Sequence, residues 1–201
     1  MIFMFLILLV NLVISFLNAR SCGRMWAESK AIGGWIHVLT WCGAIQSAIG
    51  FTTVWSFFIG TVAYLVGYLN SSMISFYSSF LYVLIILPAI GTGILITIES
   101  WIQFFREKSL LNLGTAGWNS FAEIYNIYHA VNSFGDAFSI VKDGFSELFD
   151  SDSDNDASPI LLVILLAVFS LFAGIMTTYW IVQRYAASLP MPEAPNQLSK
   201  I

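Results

Sequence analysis

An all-α integral membrane protein, with about four transmembrane helices and a cytoplasmic amphipathic helical segment, is the fold class this sequence predicts. Three observations carry that reading. The chain of 201 residues is 58% hydrophobic and only 10% charged, whereas soluble domains carry about 25% charged residues. No Asp, Glu, Lys or Arg occurs between Lys30 and Glu99; as helix that stretch is roughly 100 Å long, enough for two crossings of a ~30 Å hydrocarbon layer. From Trp118 to Phe149 the pattern changes to apolar residues at steps of three and four with acids between them.

Residues 1–19 are apolar apart from Asn11, Ser15 and Asn18, just long enough to span. No basic residue precedes the run, as a cleaved signal peptide needs, so a retained first helix or signal anchor is expected. Residues 20–33 follow as a basic loop, with Arg20, Arg24 and Lys30 against Glu28. Short basic loops stay in the cytoplasm. Residues 34–106 form a long helical hairpin, turning near residue 70 at Leu69-Asn70-Ser71-Ser72.

Small residues recur at one-turn spacing in the first arm of that hairpin: Gly43 and Ser47, Ala44 and Ala48, Ala63 and Gly67. Such a shallow strip lets another backbone approach closely, either a partner helix or a neighbour in the same bundle. The second arm contains Pro88, which removes a backbone donor, followed by Gly91 and Gly93. A bend or hinge is expected there. Folding the hairpin at residue 70 brings His37, Gln46 and Glu99 to similar depths, which makes them candidates for an ion or proton path. Glu99 pairing with Arg106 or Lys30 at the membrane surface is the plainer alternative.

A break is expected at Gly114–Gly117, and residues 115–149 then form the amphipathic segment. Its apolar stripe includes Trp118, Phe121, Tyr125, Tyr128, Phe138 and Phe145, and we read it as a partner-facing or bundle-facing surface. Lys142 is its only Lys or Arg, too few for adsorption to anionic lipid. Residues 150–158 are an acidic linker. Asp150, Asp152, Asp154 and Asp156 alternate as in the first half of a calcium loop, a weak candidate for a divalent cation. Asn155 stands where such a loop needs glycine and Leu161 where it needs a bidentate Glu, so a disordered linker is the better reading. Ser158-Pro159 opens the last span, residues 159–185, and residues 186–201 form a polar, Pro-containing tail.

Catalytic constellations are missing from the sequence. It contains no phosphate-cradling Gly-Lys loop, no HExxH, no CxxC and no GxSxG, and its only histidines are His37 and His129. No enzyme activity, cofactor or metal is therefore expected. Cys22 and Cys42 are expected as packed, reduced thiols, and the net charge of −4 with no basic run excludes nucleic acid. The expected partners are the lipid bilayer and other membrane subunits, or further copies of the chain. The basic residues favour a plasma (inner) membrane orientation with loops 20–33 and 106–158 cytoplasmic and both termini outside. The function expected first is a non-enzymatic multi-pass subunit that anchors or completes a larger membrane assembly through helix packing. A small oligomeric ion or proton channel, or a transporter component, is the alternative; a pore-forming membrane effector comes third.

Overall fold

The computed structural model describes residues 2–149 and 158–187, and side chains from Phe5 to Ser146 and from Pro159 to Ala187. Every regular element among them is helical: α1 (Ile2–Ile32), α2 (Gly34–Leu65), α3 (Ser71–Arg106), α4 (Leu110–Phe149) and α5 (Ser158–Ala186). Four of these, α1, α2, α3 and α5, are long and apolar enough to cross a membrane. The candidate acidic cation site, Asp150 to Asp156, lies outside the described residues.

Helices α1, α2 and α5 form the inner group, α3 packs on α2 and α5, and α4 packs on α3. The chain turns from α1 to α2 at Gly33, whose φ of 69° suits glycine. Residues 66–70 connect α2 to α3. Gly67 takes a φ of 79° there, and the Asn70 side chain accepts from the Met73 amide at 2.9 Å, capping α3. Gly67 thus belongs to the turn, and the expected Ala63–Gly67 strip is not a helix face. Ala63 itself packs into a cluster with Leu69, Phe76, Tyr77, Leu81, Val141, Val163 and Ala167.

Two expectations are corrected. Residues 20–32 are helical rather than a loop, because α1 runs on past its apolar stretch to Ile32. Arg20, which was to end the helix, lies over the Tyr185 ring of α5, 5.3 Å from its centroid. The amphipathic segment is one unbroken helix of 40 residues, about 60 Å long, so no break falls at Gly114–Gly117. It runs antiparallel along α3: Trp101 donates to Ser120 at 2.9 Å near one end, and Phe145 meets Phe76 and Phe80 near the other.

That course changes how the chain is strung. The Gly33 turn, residues 107–109 and the Ala186 end of α5 share one end of the bundle. The α2–α3 turn, the Phe149 end of α4 and the Ser158 end of α5 share the other, where Val141 and Val163 sit in one cluster. Residues 106–149 therefore do not stay at a single end. The Ile2 end of α1 and the Ala186 end of α5 lie at opposite ends of the bundle.

Candidate functional site

Close packing of the small residues happens inside the chain. A Cβ at Gly43 would press on the Cys22 sulfur, and one at Gly50 would overlap Ser15, so α1 lies directly on this face of α2. Ser47 is fully buried and its hydroxyl donates to Gly43 O at 2.9 Å. Ala44 packs against the cluster of Ala19, Cys22, Phe51, Ile181 and Val182. Ala48 offers its carbonyl beneath Gly174 of α5, where a Cβ would meet it at 2.8 Å. Cys22 and Cys42 are buried free thiols.

The three residues named for an ion path do not meet. Gln46 donates from α2 to Ala89 O and to Thr92 Oγ1, both at 2.7 Å. Thr92 donates in turn to Pro88 O at 2.6 Å. Gln46 is thus a polar tie on the turn of α3 that follows Pro88, and α3 continues unbroken from Ser71 to Arg106. His37 has both ring nitrogens engaged within the α1–α2 hairpin. Trp41 Nε1 donates to Nε2 at 3.2 Å; Nδ1 therefore carries the proton and faces Ser29 Oγ at 3.3 Å. Glu99 accepts from Trp35 Nε1 at 2.6 Å and from Gln103 at 3.3 Å, a charge-assisted tie between α2 and α3.

Glu99 does help to line a cavity of about 990 Å³ at the Gly33 end of the bundle, where Asn18, Thr40, Gln103, Arg106 and Asn119 share the walls with apolar residues such as Met25, Leu39 and Ile96. All four of α1–α4 contribute walls. Of this set the sequence singles out Glu99 as a site residue; Gln103 and Arg106 follow it one and two turns along α3, whereas Asn18, Thr40 and Asn119 come from three other helices and converge only when the four pack together.

The outer face of α4 is the second feature. Ala116, Glu123, Ala137 and Val141 are buried toward the bundle. Trp118, Phe121, Tyr125, Tyr128 and Phe138 are exposed, and so is Val131 at 78%. Phe145 instead packs against Phe76 and Phe80, so the six do not share one face: Phe138 lies two turns before it on the same side of the helix and Trp118 nearly opposite. The reason is the period. The stripe from Trp118 to Phe145 steps by three more often than by four, so it drifts around a helix of 3.6 residues per turn. By Val141 it has wound onto α3, and the outer face has passed to Asn132, Asp136, Ser139, Lys142 and Asp143, all exposed.

No family model, curated protein or solved structure matches this chain.

Proposed function

We propose that this protein is a multi-pass, non-enzymatic subunit of a larger membrane assembly, with the outer face of α4 turned toward a protein neighbour. One observation carries the reading. Asp136, Lys142 and Asp143 point away from the bundle, on a part of α4 flanked by its contacts with Trp101 and with Phe76 of α3. The intervening stretch of α3 has no charged residue from Ser71 to Ile98, and α3 is one of the four apolar helices. An ionised side chain facing hydrocarbon costs ~3 kcal/mol or more at the bilayer centre and less toward its surface, so such groups, Asp136 above all, face protein or water. The exposed aromatic half, Trp118 to Val131, continues the same face.

The orientation follows from charge. Arg20, Arg24, Lys30, Arg106, Lys108 and Arg184 belong to the Gly33 end, and Lys142 lies toward the other. The Gly33 end is therefore cytoplasmic by the positive-inside rule.

The test is the size of the assembly in mild detergent. Asp136→Leu combined with Asp143→Leu removes the polar face without adding bulk to the α3 contact. The assembly is expected to dissociate while the helix content of the subunit stays unchanged. An unaltered assembly would remove the basis of the reading. The same polar face also suits a water-filled conduit between copies of the chain, a second reading in which the purified protein passes ions in liposomes and the double variant does not.

A further inference from the structure

Glu123 lies on the face of α4 that meets α3 and is only 6% exposed. Its place exists because residue 93 of α3 is glycine: a methyl group there would overlap the carboxylate. Oε1 of the carboxyl is buried without a partner. Thr97, one turn along α3 from Gly93, also buries an unpartnered hydroxyl.

Among the described residues of α3 and α4, no cation lies beside this group. The ionisable residues of α3 on either side of Gly93 are Tyr82 and Glu99, and the Glu99 carboxylate is tied to Trp35 of α2. Arg106 is more than three turns further along, roughly 20 Å of rise. On α4 itself, His129 is exposed and packs on Tyr125 and Tyr128, and Lys142 lies about five turns away. A buried carboxylate with no cation is held as the neutral acid, or else leaves.

We infer that Glu123 is a proton-binding site that latches α4 onto α3, filling the slot over Gly93 as the neutral acid and leaving it on ionisation. The acid O–H breaks heterolytically and the proton passes to water. Asn119, one turn before Glu123, lines the cavity at the Gly33 end of the bundle. The docked state binds the proton more tightly than the undocked one. Docking is therefore strongest with the proton bound and weakens as pH rises and the proton is lost. The inference concerns the α3–α4 contact alone and does not rest on the assembly reading.

The experiment uses the full chain in lipid nanodiscs, with hydrogen exchange read from pH 4 to 9 after correction for the intrinsic rate. Amides of residues 116–137 are expected to lose protection by up to about tenfold per pH unit within the titration window. Those of α5 stay flat. Glu123→Gln, nearly isosteric and always neutral, abolishes the pH dependence and leaves α4 protected throughout. Infrared difference spectra between the two proteins should show a protonated carboxylic acid band at low pH in the parent only. Parallel pH profiles for parent and variant, or no such band, would overturn the inference.

Discussion

At the level of single residues, two glycines of this bundle illustrate opposite demands. Around Gly174, an added Cβ would come within 2.6 Å of the Thr52 amide nitrogen and 2.8 Å of Ala48 O, both backbone atoms that cannot swing aside. Gly174→Ala should destabilise the fold by about 1–3 kcal/mol through overpacking, read by thermal unfolding in detergent. Gly91 meets nothing within 4 Å, so Gly91→Ala, in mid-helix, should be neutral or stabilise by up to about 1 kcal/mol. A loss at Gly91 would restore the hinge that the sequence suggested there. Tyr77 supplies a polar counterpart. Its hydroxyl reaches Ser56 O at 3.1 Å and Ser170 Oγ at 2.6 Å, tying α3 to α2 and α5. Tyr77→Phe should cost about 1 kcal/mol in the same assay.

Among the helices, α4 rests chiefly on α3, whereas α2 is held by α1, α3 and α5. It should therefore open first. Native-state exchange is expected to give α4 amides less protection than those of α2 and α5, and equal protection across all helices would argue against a peripheral α4. This element also marks the limit of what the sequence makes legible. The charge-free run between Lys30 and Glu99 announces apolar helices because lipid leaves a compositional trace. The four-residue spacing of Gly43 and Ser47 announces close approach, though the approaching backbone proves to be α1. The stripe from Trp118 to Phe145 is visible too, but it reads as one face only if its drift against 3.6 residues per turn is neglected. The fit of Glu123 into the space above Gly93 joins residues far apart in sequence. Nothing local to either residue signals it, and Gly93 reads instead as part of a hinge.

For the molecule as a whole, the decisive feature is that α4 travels the full length of α3 instead of remaining at one end. Basic residues then gather with the Gly33 turn, while the Phe149 end of α4 and the Ser158 end of α5 lie at the far end. The most direct test is labelling from one side of the membrane with an impermeant thiol reagent. Single cysteines replace Ser109, between α3 and α4, and Ser151, between α4 and α5, in a background where the buried Cys22 and Cys42 are replaced by Ser. The expected result is labelling of residues 109 and 151 from opposite faces of the membrane. Labelling of both from the same face would contradict the lengthwise course of α4, and with it the depth assigned to Asp136, Lys142 and Asp143.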